Sequence, residues 1–325
     1  MKAAVMYQKG ELPQYVEIPE PVAQNGNQLL VNVKTAAVKH LDRGVASGRH
    51  YSSSSGSREN GRVIGSDGIC LLPDGTRVYA IGVNGMLAEK AIIEKDRFVP
   101  LPDALDDVTA AALPNAVFGG AMALKFKADI QAGDVVLING ATGVTGRVTV
   151  QLAKYYGAGK VIVTGRNVAS LEELRSLGAD EVIAISADDE AFKAQLATVH
   201  AGTPIDVIID YLWGHTAEMI LACVKGNGSF TNRIRYVSVG SMAGDQITLS
   251  AANLRSVDLQ LTGSGMGAWS KQQVRQMLSE ILPEMFALAA AGKLTIETMT
   301  VKLEDIERLW DVEVPGGCRL VVTIA

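Results

Sequence analysis

From Asp134 to Asn167 the chain reads DVVLINGATGVTGRVTVQLAKYYGAGKVIVTGRN, and no other stretch limits its possible folds so sharply. Val135-Val136-Leu137-Ile138 is a short continuous apolar run, the pattern of a parallel strand covered on both faces. Gly140, Gly143 and Gly146 follow at three-residue spacing, where a backbone can turn tightly and come close to a phosphate. A helix is expected from about Val144 to Tyr156, with its unpaired first amides facing such a phosphate. Gly157 and Gly159 stop it, and Lys160–Thr164 gives the next strand. A glycine turn alone is weak evidence. Set in a full strand–turn–helix–strand unit, it points to a dinucleotide site, with Gly140, Thr142, Gly143, Val144, Thr145 and Gly146 around the pyrophosphate.

The end of the second strand narrows the nucleotide. An NAD site usually places an acid about 20 residues past the glycines to hold the ribose hydroxyls. Arg166 stands there, followed by Asn167, and the first acids, Glu172 and Glu173, come later in the next helix. A carboxylate would repel a 2′-phosphate, whereas a guanidinium grips it with charge-assisted hydrogen bonds. The expected cofactor is therefore NADPH.

The whole chain of 325 residues suggests two domains, and 48% apolar residues with a net charge of −5 fit a packed α/β protein with no general attraction to nucleic acid or acidic membranes. Cys70, Cys223 and Cys318 are too scattered for a disulfide framework or a zinc knot, so a reducing, cytoplasmic setting is expected. The N-terminal MKAAVMYQKG does not read as a signal peptide. The uncharged stretch Val108–Leu124 is too short for a membrane span and is interrupted by Pro114, Asn115 and Gly119-Gly120. A buried helix pair or a kinked helix is expected there.

Residues 1–122 are strand-rich (KAAVMY, QLLVNVKTAAV, TRVYAI, AEKAIIE) and suggest a small β-barrel-like domain interrupted by the polar run Tyr51–Asn60, read as a flexible loop. Beyond, strands and helices alternate. Glu181–Ile185, Ile205–Asp210, Tyr236–Gly240 and Leu259–Gly263 join the first two strands in a six-stranded doubly wound sheet. Ligands sit at the carboxyl ends of such strands. A long helix is expected from Lys271 to about Ala291, and the tail then offers a strand that returns to the first domain.

At this point the chain resembles the medium-chain dehydrogenase/reductases, in their zinc-independent quinone oxidoreductase (ζ-crystallin-like) branch. The family's GAxGGVG turn is matched by Gly140–Gly146, departing at Val144 and Thr145; its LGAD by Leu177-Gly178-Ala179-Asp180; and its GxDVVxD strand by Pro204–Asp210. Its S-V-G and L-x-G-S strand ends are matched by Ser238-Val239-Gly240 and Leu261-Thr262-Gly263-Ser264. The resemblance implies a GroES-like catalytic domain (1–122 and 266–325), a Rossmann domain (123–265) and a substrate cleft at their junction. It also implies NADPH as cofactor, Gly240 and Ser264 beside the nicotinamide, and a homodimer formed through the strand near Leu259–Gly263. A Lys often found just after Arg166 in the family is missing, since the run is Val168-Ala169-Ser170.

Zinc-dependent relatives carry a Cys, a Gly-His-Glu turn and a third ligand; the corresponding stretches are Lys39-His40, Gly65-Ser66-Asp67 and Leu113-Pro114-Asn115, which retain no set of three zinc donors. No metal is expected. Three residues are candidates for the chemistry. Tyr51 resembles a family tyrosine and could donate to the acceptor. Lys39 replaces the Asn of the family's N-x-x-D motif, where it could meet an oxyanion or simply pair with Asp42. Asn115 could contact cofactor or substrate, or cap a helix after Pro114. Trp213, Met242, Met266 and Trp269 could form an apolar wall for a flat acceptor.

The expected function is zinc-free hydride transfer from NADPH to a quinone or an activated alkene, an α,β-unsaturated carbonyl. Two alternatives remain: an enoyl-thioester or 2-alkenal reductase, and a non-catalytic NADPH-binding sensor or structural oligomer. Arg49, Arg58 and Arg62 leave room for a thioester's phosphate.

Overall fold

The structure is a computed structural model that describes residues 1–48, 61–186, 188–229 and 231–324. The chain divides into two units, Met1–Asn115 with Arg275–Ala325, and Ala116–Val274. These borders fall some residues away from the expected ones, 122/123 and 265/266. Both lie inside helices, where no change of composition marks them.

Among the described residues the first unit begins with the strands β1 (Lys2–Met6), β2 (Gln14–Glu17), β3 (Gln28–Val38), β4 (Arg62–Val63), β5 (Asp67–Leu71), β6 (Arg77–Gly82) and β7 (Lys90–Pro100). β3 pairs antiparallel with both β5 and β7, and β6 joins those two, so four strands close on themselves. Register shifts at Val33/Thr35 and Ala80/Gly82 supply the bends that closure demands. Alternation fills the interior: Val31, Val33, Val78, Ala80, Ala91 and Ile93 are all buried in one cluster. Each larger aliphatic chain so buried contributes about 1.5–3 kcal/mol. Helix α1 (His40–Ala46) follows β3 directly, and α2 (Asp107–Ala121) follows β7.

Of the helix pair and the kinked helix expected at 108–124, the structure has one helix, α2, and not a pair. Pro114 and Asn115 lie in its interior, and it runs unbroken from Asp107 into a π-helical segment, Met122–Lys127. Asn115 is therefore not an N-cap. Gly119 and Gly120 are not breakers but contact points. A Cβ on Gly119 would meet Thr145 Cγ2 at 2.7 Å, and one on Gly120 would meet Thr149 Oγ1 at 2.6 Å. The missing side chains let this helix approach its neighbour closely.

The second unit holds a parallel sheet: β8 (Val135–Asn139), β9 (Lys160–Gly165), β10 (Glu181–Ala184), β11 (Val207–Asp210), β12 (Ile234–Ser238) and β13 (Leu259–Gly263). Their order is β10-β9-β8-β11-β12-β13, so the winding reverses between β8 and β11. That reversal is where a doubly wound sheet opens a crevice at its strand ends. β8 and β11 are buried along their whole length, as their unbroken apolar runs require. Helices α3 (Val144–Tyr155), α4 (Val168–Glu173), α5 (Asp189–Gly202) and α6 (Gly214–Cys223) connect the strands. β13 is an edge strand with Leu261 exposed.

The expected helix after Lys271 is present in three parts: Lys271–Gln276, a π-helical segment Met277–Ile281, and Leu282–Ala290. Pro283 has no N–H to offer the preceding turn, which accounts for the wider segment before it. Strands β14 (Glu297–Lys302) and β15 (Cys318–Thr323) then pair with each other, and β15 adds to β3. Among the described residues no helix is long and apolar enough to cross a membrane.

Candidate functional site

The three glycines after β8 serve three separate purposes. Gly140 has φ +83°, and a Cβ there would strike Leu212 at 2.7 Å. Its amide and that of Ala141 donate to the Thr164 carbonyl at 3.1 and 2.9 Å, which fixes the turn to β9. Gly146 lies so close to Ala141 that a Cβ would sit 2.5 Å from its Cα, so this glycine lets α3 start hard against the strand end. Gly143 is different. It is exposed, its φ is an ordinary −74°, and its nearest neighbour to a Cβ would be the Gly140 carbonyl oxygen at 3.9 Å. No contact among the described residues demands a glycine there, whereas a ligand approaching the backbone would.

Gly143 is also the N-cap of α3, with no side-chain cap and no acid in the first turn. The amides of Val144, Thr145 and Gly146 therefore meet the general requirement for an anion at a helix start. The hydroxyls of Thr142 and Thr145 make no hydrogen bond among the described residues. Arg147, which the sequence reading did not single out, is buried below the turn. Its Nε donates to the Thr142 carbonyl at 3.3 Å, and its NH2 pairs with Glu173 at 2.5 Å.

At the end of β9, Arg166 is exposed and has no hydrogen-bond or ion-pair partner among the described residues. The two acids that follow are already engaged: Glu172 pairs with Arg175 at 2.7 Å and Glu173 with Arg147. Asn167 caps α4, its side-chain oxygen accepting from the Ser170 amide at 3.0 Å. One lone pair of its oxygen is thus used by the helix.

At the carboxyl ends of the central strands lies a buried polar chain that sequence reasoning missed. Thr164 Oγ1 donates to Asn139 Oδ1 at 2.6 Å, and Asn139 Nδ2 to Asp210 Oδ1 at 2.7 Å. Tyr236 OH donates to Asp210 Oδ2 at 2.6 Å. Four neighbouring strands are so tied beneath the glycine turn. Burial pushes the Asp210 carboxyl above its usual value, against the four groups that donate to it. Two of these are the Leu212 and Trp213 amides, at 2.8 and 3.1 Å, and they hold Trp213 at φ +57°. Such a conformation persists only where its surroundings impose it.

Nearby, a Cβ on Gly240 would sit 2.7 Å from the Tyr211 carbonyl oxygen, so its glycine is explained by packing. Ser264 is buried and its hydroxyl accepts from Trp269 Nε1 at 3.0 Å. Trp269 stacks on Phe118 and Trp213 meets Tyr236 edge-on, whereas Met242 and Met266 are exposed.

In the first unit, Lys39 is 2% exposed and its ammonium has three acceptors for three hydrogens. They are Asp67 Oδ1, Asp42 Oδ2 at 3.1 Å and the Ala37 carbonyl at 3.0 Å. Of the two roles read for Lys39, the ion pair with Asp42 is the one that forms. Asp67 also accepts from Tyr79 OH at 2.7 Å and from Ser66 Oγ at 3.0 Å. Desolvation opposes the charged form of Asp67, but the Lys39 ammonium together with the Tyr79 and Ser66 hydroxyls outweighs it and holds the carboxyl below its ordinary value. The same carboxylates hold Lys39 protonated against its own burial, raising its pKa. Asn115 Oδ1 accepts from Arg319 NH2 at 3.1 Å. Tyr51 lies outside the described residues. Among the described residues no group of three or more His, Cys, Asp or Glu side chains is arranged to hold a metal ion.

Comparison with known proteins agrees with this architecture. A family profile described as "Zinc-binding dehydrogenase" matches residues 144–282. The "Quinone oxidoreductase" of Sus scrofa is 30% identical, the alignment covering 82% of this chain and 79% of that protein. The "Probable NADPH-dependent quinone reductase tdiC" of Emericella nidulans is 26% identical over 95% of this chain and 96% of its own length. A solved mycobacterial quinone oxidoreductase shares the fold with a TM-score of 0.82 at 21% identity, covering 99% of both chains.

Proposed function

This chain belongs to the quinone oxidoreductase branch of the medium-chain dehydrogenase/reductase superfamily, and on that premise we propose that it is an NADPH-dependent, metal-free reductase of quinones or activated alkenes. One observation carries the proposal: among the described residues no contact requires a glycine at Gly143, at the uncapped start of α3. Bound NADPH supplies the hydride. The amides of Val144, Thr145 and Gly146 bind its pyrophosphate, with the free hydroxyls of Thr142 and Thr145 as further donors. Arg166 takes the 2′-phosphate, and the neighbouring acids, already paired, do not compete for it.

Gly240 and Ser264 are the proposed neighbours of the nicotinamide. Gly240 contributes the absence of a side chain, and Ser264 a hydroxyl fixed by Trp269. As hydride reaches a quinone or an enone, negative charge builds on the carbonyl oxygen and a hydrogen-bond donor lowers the barrier. Tyr51 is the proposed donor. Lys39 is not assigned that work, because its hydrogens are committed. It serves instead as a resident cation for Asp42 and Asp67, which supports chemistry without a metal. The exposed edge of β13 supports the homodimer that the family resemblance implies.

The test is NADPH consumption by chelator-treated protein with a panel of quinones, enones and enoyl thioesters, with NADH in parallel. Turnover with NADPH and little with NADH is expected, and the panel ranks the acceptors. Activity only after zinc is restored would refute the metal-free reading. Nucleotide binding without turnover of any acceptor would favour a sensor.

A further inference from the structure

Arg147 is an unusual residue for its place. It closes the first turn of α3, where the helix dipole favours acids, and it is 6% exposed, where a guanidinium must find partners. Two of its contacts tie the glycine turn to the segment that follows β9. Its Nε donates to the Thr142 carbonyl at 3.3 Å, and its NH2 pairs with Glu173 of α4 at 2.5 Å. The Thr142 side chain rests against Gly165, the last residue of β9, where a Cβ would meet Thr142 Cγ2 at 2.7 Å.

These contacts fix a peptide plane. In a trans peptide the carbonyl and the N–H that follows it point in opposite directions. A Thr142 carbonyl turned to the guanidinium therefore turns the Gly143 amide away from it. That amide makes no hydrogen bond among the described residues, and Gly143 is exposed. Were the plane to flip, a carbonyl oxygen would stand at the uncapped start of α3, where an anion needs donors. Gly143 makes such a flip easy. Its φ is now −74°, but without a Cβ it reaches the positive φ of a flipped peptide at little cost. The glycine that admits a ligand thus leaves the turn in need of a restraint, and a charge-assisted hydrogen bond to the carbonyl is a strong one.

We propose that Arg147 is a positioning residue of the nucleotide turn: it holds the Thr142 carbonyl toward the protein and so leaves the Gly143 amide free to donate to a pyrophosphate. The hold on the peptide stands on the geometry of the turn; that the anion is a dinucleotide's pyrophosphate rests on the reductase reading given above.

Two variants separate the hydrogen bond from the charge. Arg147→Met removes both. Arg147→Gln loses the charge, yet its Nε2 lies as far along the side chain as the arginine's Nε and can still donate to Thr142. In crystal structures of the nucleotide-free proteins, the Thr142 carbonyl should keep its direction in the parent and in Arg147→Gln, and turn away in Arg147→Met. In equilibrium titrations Arg147→Met should weaken NADPH and NADH alike, about tenfold or more, because both carry the pyrophosphate. Arg147→Gln should stay within about threefold of the parent. In steady-state assays the loss should fall on the KM for NADPH, with kcat at saturating nucleotide near that of the parent.

A carbonyl that keeps its direction in Arg147→Met overturns the proposal, and so does an Arg147→Gln that binds as poorly as Arg147→Met. A loss confined to NADPH overturns it too, since that would assign Arg147 to the 2′-phosphate. If the parent binds neither nucleotide, the reductase reading fails, and the crystal structures still decide the hold on the peptide. Where Arg147→Met does not fold, Arg147→Gln decides. Affinity kept with Nε2 on the Thr142 carbonyl supports the proposal; affinity kept without that bond, or lost despite it, overturns it.

Discussion

The glycine turn of the second unit and the charge cluster of the first are built on opposite principles. The turn is made of backbone: amides, a positive φ and missing side chains, all within a few residues after β8. The cluster is made of side chains from α1 and its N-cap Lys39, β5, β6, α2 and β15, brought together only by the tertiary fold. A backbone site is written locally and tolerates loss of any side chain it does not use. A side-chain cluster is written across the chain and fails when one member is removed.

The largest effect expected of this difference is at Lys39. Lys39→Met would strand Asp42 and Asp67 together in the interior, at a cost of about 3–5 kcal/mol, measured by denaturant unfolding. Its pH dependence should also invert. Asp67 is held low in the parent, so its contribution is present above the unfolded carboxylate value and lost as pH falls through the folded one. Without the ammonium, burial would hold the acid high, and stability should then rise as pH falls toward 4, a value set by ordinary carboxylates. A cost under about 1 kcal/mol, the range of a surface pair, would show that the cluster is not a unit.

Next is the contrast within the turn. Gly146→Val forces a side chain against the Ala141 backbone and should cost about 3 kcal/mol, visible as a lower Tm. A fully stable variant would mean that α3 can move away from the strand end. Arg166→Ala should be smaller and selective, weakening NADPH about tenfold to a hundredfold and leaving NADH unchanged. Equal effects on both nucleotides would remove Arg166 from the 2′-phosphate. Smallest is Asn167→Ala, which loses a helix cap worth about 1 kcal/mol and should change NADPH affinity less than Arg166→Ala does. The reverse ranking would return Asn167 to the nucleotide.

How much of this the sequence disclosed follows the same division. The parallel strands were legible because a strand covered on both faces is apolar without interruption, as in β8 and β11. The glycine spacing disclosed its turn because each glycine answers a constraint from neighbours close in the chain. At Pro114, Asn115 and Gly119-Gly120 the sequence left open a helix pair, a kinked helix or a cap at Asn115, because such residues break helices by local propensity, and here all lie within one helix. Packing of those glycines against Thr145 and Thr149 overrode the propensity. Arg319 gave no signal at all, since one arginine in an apolar C-terminal strand acquires meaning only when β15 joins β3 and the arginine meets Asn115. The Thr164–Asn139–Asp210–Tyr236 chain was hidden for the same reason: each member ends or lines a different strand.

The most direct test of the account is an equilibrium titration of the parent protein and of Gly143→Val with NADPH and NADH, each protein's Tm being recorded beside it. The parent should bind NADPH about tenfold or more tightly than NADH, through the extra charge-assisted contacts of Arg166. Gly143→Val should lose both nucleotides yet melt as the parent does, because a Cβ there would meet nothing nearer than the Gly140 carbonyl oxygen at 3.9 Å. A variant that bound NADPH as well as the parent, or a parent that preferred NADH, would contradict the assignment of this turn.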